Sequence, residues 1–204
     1  MTHLYDYWRS SAAYRVRMAL NLCGIIYDST SVDLVKGEQR SLENTARNPQ
    51  GLVPTLEIDG IRLTQSLAIL EYLAETHGGL LPADAAGRAQ VRALAYAIAM
   101  EIAPVCNLSV RNHVASMGAM TADDWQRHYI AKGLAAFDAM LTTAGQFCHG
   151  DSISIADLCL VPQVYNAQRV GVDMTSFPRI AKIMANLVEI PAIAAAHPDR
   201  VKLS

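Results

Sequence analysis

The 204-residue chain is 51% hydrophobic and carries 17 basic against 19 acidic residues, a net charge of -2. That is enough apolar material for one compact domain or two small ones, and too little excess charge for general nucleic-acid or acidic-lipid binding. No basic-then-apolar leader opens the sequence and no uncharged apolar run approaches ~18 residues, so a cytoplasmic protein without a membrane partner is expected.

The first elements alternate. Residues 3–7 are a short aromatic-rich strand, and residues 12–23 a helix with Val16, Leu20 and Cys23 at helical spacing, stopped by Gly24. Residues 27–32 read as a second strand and 39–47 as a polar helix. Two alternating strands at 55–58 and 61–64 flank Asp59-Gly60, the dipeptide preferred in a type I′ hairpin turn. A helix starts at Ser66 with Leu67, Leu70 and Leu73 on one face, and residues 80–84 form a linker containing Pro82. This β-α-β-α-β-β-α order predicts a thioredoxin-like α/β domain over residues 1–82.

Only helices are expected in residues 83–204. Of 31 alanines, 6 lie in residues 1–82 and 25 beyond, a bias toward helix. Val91, Leu94, Ala95, Ile98 and Ile102 make one apolar stripe, and Thr121-x-x-Asp124 caps the next helix, which carries Trp125, Tyr129 and Phe137. Ser154-Ile155-Ala156-Asp157 is a further capping box, flanked by Ile153 and Leu158 as a hydrophobic staple. Pro162 inside that helix predicts a kink.

Chemistry concentrates at a few helix ends. Trp8-Arg9-Ser10-Ser11 sits between the first strand and first helix, where free amides and a Ser hydroxyl could stabilise a thiolate, or where a Ser merely caps. Val53-Pro54 must lie at a strand start, an edge or a cis turn, and would expose the Val53 backbone to an extended peptide ligand. Gln65-Ser66 offers an amide, a hydroxyl and helix amides to an amino-acid carboxylate, with simple capping as the alternative. Arg169 follows Leu158, Pro162 and Tyr165 on one helix face. It either points into a cleft to grip a carboxylate or reaches solvent at the helix end. The six histidines lack metal-ligand spacing, and Cys23, Cys106, Cys148 and Cys159 form no CxxC pair. No metal site is expected, and the thiols are expected to be reduced.

The run Tyr7-Trp8-Arg9-Ser10-Ser11-Ala12-Ala13-Tyr14-Arg15-Val16-Arg17 resembles the signature of zeta-class glutathione transferases. Asn48-Pro49-Gln50-Gly51-Leu52-Val53-Pro54, Gln65-Ser66-Leu67, Asn107-Leu108-Ser109-Val110 and the stretch from Ala156 through Arg169 continue the likeness over nearly the whole chain. The resemblance implies the glutathione transferase fold: a thioredoxin-like glutathione domain followed by an all-helical substrate domain. It implies reduced glutathione as cofactor, with Gln39 toward its glycine end and Val53, beside Pro54, on its cysteinyl backbone. Gln65 and Ser66 would take its γ-glutamyl carboxylate, and Ser10, Ser11 and the amides leading to Arg15 its sulfur. Asn107, Leu108 and Ser109 match a stretch that completes this site, and Arg9 and Arg169 match positions associated with the carboxylates of an acidic diketo substrate.

The implied reaction is the glutathione-dependent isomerisation of maleylacetoacetate to fumarylacetoacetate in tyrosine and phenylalanine breakdown, by a homodimer. The alternatives are maleylpyruvate isomerisation, dehalogenation of small 2-haloacids, and non-catalytic glutathione binding. Two departures matter. Ala12 stands where family members often have Cys, which leaves the glutathione sulfur as the nucleophile, and Ala103 stands where many have Gln or His, which removes a polar contact.

Overall fold

The computed structural model describes residues 1–118 and 120–202. The chain divides into two compact units, Met1–Leu80 with Glu189–Ser204, and Leu81–Val188. The last segment, from Glu189 on, groups with the first unit and not with the helices of the second.

In the first unit, β1 (His3–Asp6) lies between β2 (Asp28–Ser31) and β3 (Thr55–Ile58), and β4 (Ile61–Thr64) extends the sheet in the order β2-β1-β3-β4. β1 runs parallel to β2 with Leu4 opposite Ser29, and antiparallel to β3 with Leu4 opposite Leu56. Asp59 and Gly60 join β3 to β4 with φ of 53° and 77°, the two left-handed residues a type I′ turn needs. Leu4, Leu56 and Ile58 are buried with Ala13, Val16 and Leu20 of α1 (Ser11–Leu22) and Ile69, Leu70 and Leu73 of α3 (Ser66–His77). α1 ends as its glycine predicts: Gly24 is left-handed, its N–H bonds Asn21 O and that of Ile25 bonds Leu20 O. The expected polar helix divides into a 3₁₀ turn at Glu38–Arg40 and α2 (Leu42–Arg47), because the Ser41 hydroxyl accepts from Asn44 N and starts the helix anew.

The second unit is helical. α4 (Ala85–Tyr96), capped by Asp84 on Gly87 N, passes into a π-helical turn at Ala97–Ile102 that closes with Ala103 N on Ile98 O. α5 (Leu108–Ser116), α6 (Ala122–Met140), α7 (Ile155–Arg169) and α8 (Pro178–Leu187) follow. A Cβ at Gly133 of α6 would collide with Ile102, so glycine there permits the close approach of α6 to the π-turn. α7 continues through the expected kink point, Pro162, as one assigned helix.

Back in the first unit, α9 (Pro191–Ala195) and α10 (Pro198–Val201) are short. α5, α8, α9 and α10 were not individually expected, although α8, α9 and α10 each start on a proline, the residue favoured at the first helical position.

Candidate functional site

In the first unit the site grows from the start of α1. Ser10 is its N-cap, with extended backbone (φ -69°, ψ 122°) and a hydroxyl that accepts from Ala13 N at 3.3 Å. The capping alternative is therefore real, yet it uses only an acceptor lone pair; the hydroxyl proton remains to be donated to an anion. Ser11 opens the helix and is half-buried, so both hydroxyls stand at the positive end of α1.

One turn further, Arg15 is 4% exposed and donates from Nη1 to Ser66 Oγ at 3.2 Å. Its Nε is buried without a hydrogen-bond partner. Ser66 is the first residue of α3, so a guanidinium, a hydroxyl and free helix amides converge there, a fitting receptor for a carboxylate. Gln65, exposed at the cap position with φ of 66°, donates from Nε2 to Gln50 Oε1 at 2.7 Å.

Gln50 belongs to the loop leading into Val53-Pro54, whose peptide bond is cis, one of the three placements the sequence allowed. Asn48, buried, holds that loop by donating to Leu52 O (3.0 Å) and accepting from Gln50 N (3.1 Å). Gln39 lies in the 3₁₀ turn before α2, where its carbonyl accepts from Asn44 Nδ2 and its Oε1 is buried without a partner. Arg15 thus links α1 to Ser66, and Gln50 links Gln65 to the loop before Val53. The partnerless donor on Arg15 and acceptor on Gln39 fit a ligand carrying both carboxylates and amide or ammonium groups, as glutathione does.

Arg9 is half-buried with its Cζ 5.5 Å from the Trp8 ring centroid. Behind it, Arg17 donates to Asp6, Trp8 O and Ala196 O. Arg17, Asn48 and Gln50 lie inside the family-like motifs, but the sequence assigns them no role. A signal was available: two arginines two residues apart in an otherwise apolar helix, and an asparagine before a proline at a turn.

In the second unit, Asn107 caps α5 without a side-chain bond and is exposed, Leu108 is half-buried and Ser109 exposed. The approach to them is fixed by Trp125 Nε1 on Val105 O (2.8 Å) and Gln126 Nε2 on Cys106 O (3.1 Å). Arg169 ends α7, exposed, with its Cζ 5.7 Å from the Tyr165 centroid. Its guanidinium is open to solvent, so either role read from the sequence remains available to it. The start of α7 matches expectation: the buried Asp157 carboxylate accepts from Ser154 N, Ser154 Oγ and Cys148 N.

No protein thiol with a described shift is activated. Burial pushes Cys23 up, Cys106 up to about 11 and Cys148 well up. Among the described residues, no helix is long and apolar enough to cross a membrane and no group of three His, Cys, Asp or Glu could hold a metal ion.

Comparison with known proteins gives the family. Residues 1–75 match the family model for the glutathione S-transferase N-terminal domain, and residues 106–196 that for a glutathione S-transferase C-terminal domain. The maleylacetoacetate isomerase of Rhizobium meliloti is 57% identical over 98% of both chains, and that of Mus musculus 44% identical over 97% of this chain and 92% of its own. Among solved structures, a maleylacetoacetate isomerase from Anaeromyxobacter dehalogenans with glutathione in its active site is 42% identical, with a TM-score of 0.89 over 98% of this chain and 96% of that one. A maleylpyruvate isomerase, described as a bacterial zeta-class glutathione transferase, is 38% identical with a TM-score of 0.95 over 99% of both chains.

Proposed function

Because the chain belongs to the zeta class of the glutathione S-transferase family, we propose that it is a glutathione-dependent cis–trans isomerase converting maleylacetoacetate to fumarylacetoacetate. The observation that carries this reading is the 57% identity to a maleylacetoacetate isomerase over 98% of both chains. The reaction serves the breakdown of tyrosine and phenylalanine.

Glutathione supplies a thiolate that adds reversibly to the cis double bond, so that the bond becomes single, rotates and reforms as trans when the thiolate leaves unchanged. The protein's part is electrostatic and positional. Ser10, with its hydroxyl proton free of the cap bond, donates to the sulfur, and Ser11 and the α1 amides lower the cost of negative charge there. Ser66, Arg15 and Gln65 hold the γ-glutamyl carboxylate at the start of α3. Val53, at the cis turn, pairs with the cysteinyl backbone, and Gln39 lies toward the glycine end. Asn107, Leu108 and Ser109, at the start of α5, are assigned to glutathione by the family resemblance alone.

Arg9 and Arg169 take the carboxylates of the diketo acid. The mechanism needs no covalent nucleophile from the protein: Ala12 has no thiol, and burial pushes the Cys23, Cys106 and Cys148 thiols up, away from the reactive thiolate. Four free cysteines and a need for reduced glutathione suit a cytoplasmic setting. We take the working enzyme as a homodimer, which light scattering in solution tests.

Maleylpyruvate is the second substrate to examine, since a maleylpyruvate isomerase superposes with a TM-score of 0.95. The test is a spectrophotometric comparison of both acids with and without glutathione. Faster turnover of maleylacetoacetate, strictly dependent on glutathione, is expected. Turnover that persists without glutathione would overturn the mechanism.

A further inference from the structure

Residues 191–202 are fastened to α1 by buried and part-buried contacts. Arg17, 2% exposed, donates from Nε to Ala196 O (3.1 Å) and from Nη2 to Trp8 O (3.0 Å). Asn21 Nδ2 donates to Ala192 O at 2.9 Å, and the His197 ring meets Tyr14 edge-on with centroids 6.1 Å apart. His197 in turn caps α10 through Asp199 N, and Lys202 N closes the helix on Pro198 O at 3.0 Å. One guanidinium therefore holds both the loop before Ser10 and the segment that ends in Lys202.

This docking brings Lys202 Nζ to 5.0 Å from the Trp8 centroid, the same indole that Arg9 Cζ approaches to 5.5 Å. Two cations thus share one half-buried ring beside the Ser10 cap. Among the described residues, neither has a carboxylate within ion-pair distance. The ring orders both side chains, and two uncompensated like charges create a local field that an anion relieves. We infer that Lys202 joins Arg9 in binding a carboxylate of the diacid substrate, with Trp8 holding both cations, an inference that rests on the reaction proposed above.

A carboxylate here could belong to the diacid or to glutathione itself, and kinetics separate the two. The experiment measures kcat and KM for maleylacetoacetate and KM for glutathione in the full-length wild type, Lys202→Gln, Lys202→Glu, Lys202→Arg and Arg9→Ala. The diacid KM should rise about two- to fivefold in Lys202→Gln, the scale of an exposed ion pair, and further in Lys202→Glu. It should stay near wild type in Lys202→Arg, with kcat and the glutathione KM unmoved, and the differences should shrink in high salt. A diacid KM unchanged in both Lys202→Gln and Lys202→Glu, while Arg9→Ala raises it, would overturn the assignment and leave the reaction standing. A rise confined to the glutathione KM would overturn it too, by giving the cation to the cofactor. A wild type that fails to isomerise the diacid would remove the reaction itself.

Discussion

Arg17 grips Asp6 through one nitrogen, Nη1 donating to both carboxylate oxygens at 2.9 and 2.6 Å, in a place where both residues are buried. The pair joins the end of β1 to the middle of α1, and the remaining guanidinium nitrogens reach Trp8 O and Ala196 O. Removing the carboxylate leaves a buried cation facing two carbonyls. Asp6→Ala should therefore cost about 3–5 kcal/mol of stability, the scale of an uncompensated buried charge. Urea unfolding checks this, and a loss below about 1 kcal/mol would show that water replaces the carboxylate.

Ser10 caps α1 and is the proposed donor to the glutathione sulfur, two roles that a substitution separates. As a cap it contributes about 1 kcal/mol, so Ser10→Ala should lower the melting temperature only slightly. As a donor to the glutathione sulfur its loss should lower kcat about 100- to 1,000-fold, by analogy with a missing oxyanion donor, with little change in KM for glutathione. Ser11→Ala is the comparison. If it carries the larger kcat loss, Ser11 rather than Ser10 faces the sulfur.

What the sequence made legible was what local chemistry decides. Asp59-Gly60 dictated its turn, Gly24 its helix end and Ser154 with Asp157 its cap, because each answers to a few neighbouring backbone groups. The order of strands followed from periodicity for the same reason. The return of residues 189–202 to α1 was not legible, since it depends on Arg17 meeting Ala196 across 179 positions. The π-turn at Ala97–Ile102 was hidden by a stripe that reads as continuous helix until Gly133 admits Ile102. Candidate site residues carried by motifs were readable as types. Their partners, such as Ser66 for Arg15 and Gln50 for Gln65, needed the fold.

Thiol chemistry offers an independent check on the nucleophile. With Cys106 pushed up to about 11, about one molecule in a thousand carries its thiolate at pH 8. Cys106 should react slowly with iodoacetamide near neutral pH, with a rate that climbs toward pH 11, and isomerase activity should survive the treatment. Rapid inactivation traced by mass spectrometry to Cys106 would contradict both expectations.

The carboxylates displaced from their ordinary value fall into two groups with opposite pH signs. Asp84 is held below the usual 3.8 chiefly by the Gly87 N–H, Asp124 by the Thr121 hydroxyl and then Arg127, and Asp173 by the Thr175 hydroxyl and N–H. A folded value below the unfolded one gives stability that is present above 3.8 and lost as pH falls through the folded value. Burial raises Asp6 and Asp157 instead, so the pH-dependent part of their contribution is complete below 3.8 and falls as pH rises through their folded values. Asp84→Asn should then melt with a shallower decline than wild type between about pH 5 and pH 3, and an identical decline would remove Asp84 from the acid limb.

The proposed role of Arg169 in binding the diacid can be tested with little structural cost. It is exposed, ends α7 and touches the Tyr165 ring, while Arg127 rather than Arg169 bonds the neighbouring Val170 carbonyl at 2.7 Å. Arg169→Ala should therefore leave the melting temperature nearly unchanged. A guanidinium bonding a carboxylate contributes about 1.5–3 kcal/mol, so KM for the diacid should rise about tenfold or more. An uncharged aryl halide conjugated to glutathione has no carboxylate to lose, and its KM should not move. Arg169→Lys keeps the charge but not the paired donors, so it should recover only part of the loss. Equal increases for the diacid and the aryl halide would mean that Arg169 shapes the pocket rather than binding the anion.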